Sequence, residues 1–322
     1  MISTWETAQQ ILDRIAAYDS VVIFGHENPD GDCVGSVMGL RDELRLLYPQ
    51  KKIYGVGTHP SFLPSFLPES DEVSLEEIRK SLAVMVDLSD LNRVEDQRIL
   101  DAKEIVCFDH HLADPTKTYP FLCYRHEDAP SCTFILYRIF KKAFGKISPT
   151  VATELYMGMV TDTGRFQFDS DPETFAAAEG MVRDGADYRK LYHELYRQTS
   201  SDLKMKAYVY AHFKESENCA YFQVKQSEYE AAGLSSNAIS GRVNLLSLLD
   251  GKPMWLFFVE QEDHRVRVEF RGDGSRDMQA IATHFGGGGH LCASGCRLPS
   301  YDEKKIQEIV DYCDKAPVLE KK

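Results

Sequence analysis

Through the first 200 residues, short runs of consecutive apolar residues alternate with stretches whose apolar positions recur every three to four residues. VVIFG (21–25), KKIYGV (51–56), LAVMVDL (82–88) and EIVCFD (104–109) are apolar on successive positions and rich in β-branched residues. That is the pattern of strands buried on both faces. Between them CVGSVMGLRDELRLLY (33–48) and SLEEIRKS (74–81) carry helical spacing, and Ser74 with Glu77 fits a capping box. Strand and helix in alternation predict a parallel sheet with crossover helices. From residue 130 to 213 the pattern is helical almost throughout: SCTFILYRIFKKAF, TVATELYMGMVTD, PETFAAAEGMVRDG and two further stretches ending near Phe213.

A second set of strands follows, CAYFQVK (219–225), PMWLFFVE (253–260) and RVRVEFR (265–271), with helices expected at 237–249, 277–285 and 302–314. The polar helical stretch before it reads as a connector. The expected organisation is therefore α/β, with boundaries at 1–197, 198–216 and 217–322. The N-terminal part is a mostly parallel sheet flanked by helices, and the C-terminal part a smaller α/β domain. A chain of 322 residues is also long enough to divide, because single cores stop growing at roughly 250–300 residues.

Composition changes this picture little: 43% hydrophobic and 27% charged residues exclude a mostly disordered or fibrous chain. Charge changes it more. Lys and Arg number 37 against 50 Asp and Glu, a net charge of −13, which argues against coating long nucleic acid or an anionic membrane through a general basic field. A small anionic substrate held by local cations or metals stays compatible with that balance. No segment reaches the ~20 apolar residues of a membrane span. The N-terminus reads as an amphipathic helix without a basic region leading into an apolar one, so a cytoplasmic protein is expected. The eight cysteines include no CxxC, and Cys292 with Cys296 has no second ligand pair, so reduced buried thiols are expected.

Metal-ligand residues gather in four places. His26, Asp30 and Asp32 lie in HENPDGD after the first predicted strand; Asp87 ends the third. Asp109, His110 and His111 end the fourth, and Asp162 ends the helix containing LYMGMV. Taken singly, each is as readily a turn former or helix cap. Together they fall where open parallel sheets bind ligands, beyond the carboxyl ends of strands. Two histidines with several aspartates and no cysteine suit Mn²⁺ or Mg²⁺ better than structural zinc. So many carboxylates would repel one another, and two divalent ions remove that conflict. Ions ~3.5–4 Å apart can activate a bridging water and clamp the oxygens of a phosphoryl displacement.

HENPDGD, an isolated Asp after a strand, DHH, TDTGRF and, far downstream, GGGGH occur here in one order. The set resembles the DHH phosphoesterase superfamily, most closely its two-domain bacterial branch of oligoribonucleases (nanoRNases) and 3′-phosphoadenosine-5′-phosphate (pAp) phosphatases. The resemblance spans about residues 15–315. It implies two Mn²⁺, with Mg²⁺ as a substitute: His26 and Asp30 on one, Asp32, His110 and Asp162 on the other, and Asp87 bridging. It implies that His111 meets the phosphate or the leaving oxygen while Asp109 orients an imidazole or the loop. It also implies an active site in the cleft between the two domains.

The family pattern after the bridging Asp is commonly D-T-A-N/S-x-x-R. Here DLSDLNR keeps Arg93 at the expected offset, as a phosphate or loop clamp, but brings in Asp90. In the second domain Gly286, Gly287, Gly288, Gly289 and His290 permit close backbone approach and a nest of N–H donors. They lack the Lys-Ser/Thr of a P-loop. Arg271 matches the family's substrate-contacting arginine, Arg276 is a weaker candidate, and His284 reads as surface.

The activity so implied is hydrolysis of short oligoribonucleotides and of pAp. A cyclic or linear dinucleotide phosphodiesterase acting on c-di-AMP or pApA is the alternative, and a nucleotide-sensing module the non-enzyme alternative. Expected partners are short RNA or nucleotides, with no long duplex and no membrane; the resemblance is compatible with a homodimer.

Overall fold

The computed structural model describes residues 4–112, 120–168, 170–247, 249–289 and 291–319. The chain divides into two compact units, Met1–Arg197 and Gln198–Lys322. The first carries strands β1 (Ser20–Phe24), β2 (Lys52–Val56), β3 (Leu82–Val86), β4 (Glu104–Asp109) and β5 (Leu122–Arg125). Its helices are α1 (Trp5–Ala17), α2 (Gly31–Leu47), α3 (Leu75–Ile78), α4 (Cys132–Phe144), α5 (Pro149–Asp162), α6 (Pro172–Arg183) and α7 (Tyr188–Leu195). The strands form one parallel sheet in the order β2-β1-β3-β4-β5.

Both faces of that sheet are covered, which is why its central strands read as unbroken apolar runs. Val21, Ile23, Val84 and Val106 join a core with Ile11, Leu40, Phe140 and Leu155 of the helices. Val22, Phe24, Met85 and Cys107 join a second core with Val73, Ile78 and Ile99 on the opposite face. The strand order reverses between β1 and β3, and at such a reversal the connections leave in opposite directions and open a crevice at the strands' carboxyl ends.

In this unit one sequence expectation needs correction and one strand was not foreseen. The helix expected over 74–81 is the single turn Leu75–Ile78; Ser74 does accept from the Glu77 amide at 3.2 Å, but the Glu77 carboxylate goes to Lys52 instead. Strand β5 was missed, because LCYR is short and mostly half-buried at the sheet's edge.

The second unit carries β6 (Lys214–Glu215), β7 (Cys219–Val224), β8 (Met254–Glu260), β9 (Val266–Gly272), β10 (Gly288–Gly289) and β11 (Ala293–Leu298). Its helices are α8 (Ser200–His212), α9 (Gln226–Ala231), α10 (Ser236–Ile239), α11 (Met278–His284) and α12 (Glu303–Asp314). The sheet order is β10-β11-β9-β8-β7-β6, antiparallel except between β7 and β8. Alternation along β8 sends Met254, Leu256 and Phe258 into a core with Ile306 and Ile309, and Phe257 and Val259 into one with Met205 and Val209. Helix α8, within the stretch read as a connector, thus contributes apolar side chains to this unit. The helix expected over 237–249 is broken: Gly241 takes a left-handed conformation (φ 80°) and only a 3₁₀ turn, Val243–Leu246, follows. Among the described residues no helix is long and apolar enough to cross a membrane.

Helix α2 lies close on α5 because glycines line the contact. A Cβ added at Gly35 would stand 2.6 Å from the Glu154 carbonyl oxygen, which is backbone and cannot swing away. Gly35→Ala should therefore destabilise the first unit by about 1–3 kcal/mol, the usual cost of overpacking. A lowered urea midpoint would show this, and an unchanged one would contradict the close approach.

Candidate metal centre

The chain turns out of β1 into the HENPDGD loop, where His26 makes an isolated bridge with Val94 and is buried. The His26 Nδ1 lies 2.9 Å from the Glu27 carbonyl. An N–H must donate there, so in the neutral ring the lone pair belongs to Nε2. That nitrogen is 3.4 Å from Asp87 Oδ2 and 4.0 Å from Asp30 Oδ1. His110, just past β4, repeats the arrangement: Nδ1 is 3.1 Å from the Ala129 carbonyl. Its Nε2 is 3.3 Å from Asp87 Oδ1, 3.4 Å from Asp162 Oδ2 and 3.8 Å from Asp32 Oδ2.

Asp87 follows β3 at a left-handed backbone position (φ 63°), which Asp and Asn tolerate better than other non-glycine residues. It is 2% exposed, and its Oδ1 has no hydrogen-bond partner among the described residues. Burial pushes its carboxyl upward, but His110 and His26 outweigh that and hold it well below the usual carboxylate range. Asp32, in the first turn of α2, is fully buried. Its Oδ2 accepts from the Cys132 amide at 2.6 Å, and its Oδ1 from the Thr133 amide at 3.0 Å and hydroxyl at 2.6 Å. Burial and the neighbouring Asp87 and Asp162 still drive Asp32 upward, against the pull of His110 and Thr133. Asp162, the last residue of α5, is raised to about 7 by burial, with Asp87 and Asp30 adding repulsion against His110.

The structure therefore brings His26, Asp32, Asp87, His110 and Asp162 together, with Asp87 reaching both imidazoles. The ligand-capable atoms of Asp32, His110 and Asp162 lie within 4.8 Å of one another. Asp30 stands at the margin: half-exposed, its Oδ1 caps α2 by accepting from the Asp32 and Cys33 amides at 3.0 Å each. Cys33 was missed by sequence reasoning. Its sulfur accepts from the His26 amide at 3.3 Å and lies within 4.8 Å of His26 and Asp87 ligand atoms. Burial pushes the thiol up to about 11. The only sequence signal is its place one residue after Asp32.

Asp109 has no exposed surface, and its Oδ1 accepts from the His111 amide at 3.1 Å and lies 2.9 Å from His111 Nδ1. Burial works against its charge, but the contacts with His111 and Ser89 hold it below its ordinary range. The His111 Nδ1 is thus taken by Asp109; its distance to Asp87 Oδ1 is 3.8 Å. Arg93 ends an exposed 3₁₀ turn, and its carbonyl accepts from the Glu27 amide at 2.8 Å, tying the two loops together.

In the second unit Arg271 sits on β9 opposite Ala293, its Nη1 donating to the Phe270 carbonyl at 2.9 Å. The glycines divide their work. Gly286 turns the chain (φ 77°), while Gly288 and Gly289 form β10 against Gly295 and Ser294, so they are not one continuous nest. A Cβ at Gly287 would lie 2.1 Å from the Gly295 carbonyl oxygen. His290 lies outside the described residues. Arg276 donates to the Ala316 carbonyl and so fastens the C-terminal segment.

An orphaned, fully buried oxygen on Asp87, two imidazoles presenting Nε2, and carboxylates at 3.3–4.0 Å from those nitrogens form a donor set that fits divalent cations. Such a set beyond the carboxyl ends of a parallel sheet suits metal-dependent hydrolytic chemistry. Residues 20–159 match the family profile described as "DHH family, N-terminal domain", and residues 217–316 that of the DHHA1 domain. The chain is 32% identical over 314 residues to the bifunctional oligoribonuclease and PAP phosphatase NrnA of Mycoplasma genitalium, covering 95% of this chain and 96% of that protein. It is 32% identical over 300 residues to the protein of the same description from Bacillus subtilis, covering 91% and 94%. The crystal structure of an exopolyphosphatase-related protein from Bacteroides fragilis shares the fold, with a TM-score of 0.86 at 22% identity over 97% of this chain and 96% of that one. The chain belongs to the DHH family of phosphoesterases.

Without cations the cluster retains protons. Burial disfavours charged His26, yet Asp87 and Cys33 raise it to about 11; burial likewise opposes His110, which Asp87, Asp32 and Asp162 raise to about 10. Both imidazoles thus hold protons through the neutral range, and Asp162 gains one as pH falls through about 7. A cation must displace them. Titration of the metal-free protein with Mn²⁺ or Mg²⁺ should release protons, and affinity should fall as pH is lowered. Equal heats in buffers of different ionisation enthalpy, with pH-independent affinity, would contradict this assignment.

Proposed function

We propose that this chain is a Mn²⁺-dependent hydrolase of short oligoribonucleotides and of pAp. The observation that carries the reading is the convergence of His26, His110 and buried aspartates on the two sides of Asp87, in a chain whose relatives carry those two activities in their names. In this reading His26 and Asp30 would hold one ion and Asp32, His110 and Asp162 the other, with Asp87 shared between them. Two divalent ions held there would supply the chemistry of an activated water and of charge neutralisation at the phosphoryl group.

The chain's own residues do the rest. The Asp109 carboxylate accepts from the His111 Nδ1–H. The proton that passes to the departing ribose oxygen is therefore the second one, carried on Nε2 of the imidazolium form, and the ring is left neutral. Arg93 clamps the phosphate from the loop after Asp87. Arg271 and the glycine turn from Gly286 hold the terminal nucleotide in the second unit. The global charge of −13 favours substrates of a few nucleotides, since a long strand would meet mostly acidic surface.

Rates measured side by side with Mn²⁺ on pAp, labelled di- to pentanucleotides, c-di-AMP, pApA and polyphosphate test the reading. Turnover should concentrate on pAp and the short oligomers. Preference for c-di-AMP or pApA would replace it with the dinucleotide alternative, and nucleotide binding without turnover would replace it with a sensing module. Asp87→Asn keeps a residue suited to the left-handed backbone while removing the charge, and should reduce kcat by more than ~10³-fold. Rates like those of the unsubstituted protein would rule out a bridging Asp87.

A further inference from the structure

Arg125 ends β5, 8% exposed, and is the register partner of Asp109 across the parallel pair. Its Nη2 donates to the Ser89 hydroxyl, and its Nε lies 3.5 Å from Asp109 Oδ2. Ser89 is two residues past Asp87, inside the DLSDLNR segment. Asp109 in turn spends its other oxygen on His111, at the backbone amide and at Nδ1. One guanidinium therefore spans the loop that follows Asp87 and the carboxylate that sets the His111 ring.

His111 needs such support. Its side chain is 47% exposed. Among the described residues Asp109 makes the only hydrogen bond to its ring; the other close ring is His110, with centroids 4.6 Å apart. A carboxylate without exposed surface is costly to keep charged unless a cation stands beside it. Arg125 supplies that cation on the oxygen His111 does not use. Arginine suits the position because its planar guanidinium hydrogen-bonds Ser89 through Nη2 while its Nε stands in ion-pair range of Asp109, a spread that a lysine ammonium cannot match.

We propose that Arg125 is a positioning residue for phosphoester hydrolysis, holding Asp109 and the Ser89 loop so that His111 presents Nε2 to the leaving oxygen. The inference rests on the proton-donating role given to His111 above, but not on nucleotide specificity. It differs from a plain strut between β4 and β5 in one respect: its loss should be felt most where the departing oxygen needs a proton.

The test uses the full chain loaded with Mn²⁺ and two aryl esters, phenyl phosphate and p-nitrophenyl phosphate, whose leaving groups differ in that need. Arg125→Ala should lower kcat on phenyl phosphate about 10–100-fold, the range for partners that orient a site's imidazoles. The p-nitrophenyl ester should lose much less, while metal content stays that of the unsubstituted protein and added guanidinium ion restores part of the rate. Ser89→Ala should show the same leaving-group dependence in smaller measure. Equal losses on both esters without guanidinium rescue would make Arg125 a strut, and no loss would make it dispensable; either overturns the proposal. Should Arg125→Ala fail to fold, Arg125→Lys and Ser89→Ala carry the test, and an unaltered leaving-group dependence in both overturns it. Failure of the nucleotide reading looks different: the unsubstituted protein would cleave aryl esters and leave pAp and oligonucleotides intact.

Discussion

The carboxylate of Asp32 is buried without exposed surface at the N-terminus of α4, where the Cys132 and Thr133 amides and the Thr133 hydroxyl all donate to it. Burying a charge costs several kcal/mol unless donors replace the lost water. Here the positive end of a helix and a hydroxyl do so. The same contact fastens the start of α2, which carries Asp32, to the start of α4. Helix α5 is drawn in as well, since only a glycine at 158 leaves room: a Cβ there would lie 2.7 Å from Asp32 Oδ1. Three helices are thus registered against one another by a group whose remaining lone pairs face His110 at 3.8 Å.

Around that anchor the electrostatics are deliberately unbalanced. Asp32 and Asp162 are driven upward while Asp87, embraced by imidazoles, is driven down. Carboxylates this close cannot all stay charged in a protein interior without cations. In the cation-free chain, protons on His26 and His110 play that part. The carbonyls of Glu27 and Ala129 fix each ring at its Nδ1, so exchanging protons for metal ions requires no turn of either imidazole.

Much of this was legible in the sequence, for identifiable reasons. Strands β1, β3 and β4 announced themselves because burial on both faces leaves no polar positions to interrupt them. Most of the histidines and aspartates stood out because they come just after those strands; Asp162 stood out at the end of a helix instead. Strand β5 did not, since a four-residue edge strand, three of its residues half-buried, has no periodicity to detect, and Arg125 was lost with it. Cys33 was passed over because a cysteine inside an amphipathic helix reads as core; only the fold sets its sulfur beside His26. The stretch 237–249 looked helical by spacing, yet Gly241 at φ 80° ends the regularity that spacing implied. The four glycines suggested one continuous nest, whereas pairing of Gly288 and Gly289 with β11 could be seen only once that strand was placed.

The parallel order of the first sheet has a bearing on how such a protein can change over generations. Every strand in it runs the same way, so the loops bearing His26, Asp87 and the His110–His111 pair all emerge at one rim while the apolar packing lies behind them. Substitutions between the ligands alter what the rim touches without asking the core to repack. DLSDLNR illustrates this latitude: Leu88, Ser89 and Asp90 all vary from the common pattern, Leu88 packing into the core while Ser89 and Asp90 change the rim, and Asp87 and Arg93 keep their stations. Substrate range in such a scaffold can drift by short steps along one edge, each testable by selection before the next, with the metal-binding frame inherited intact.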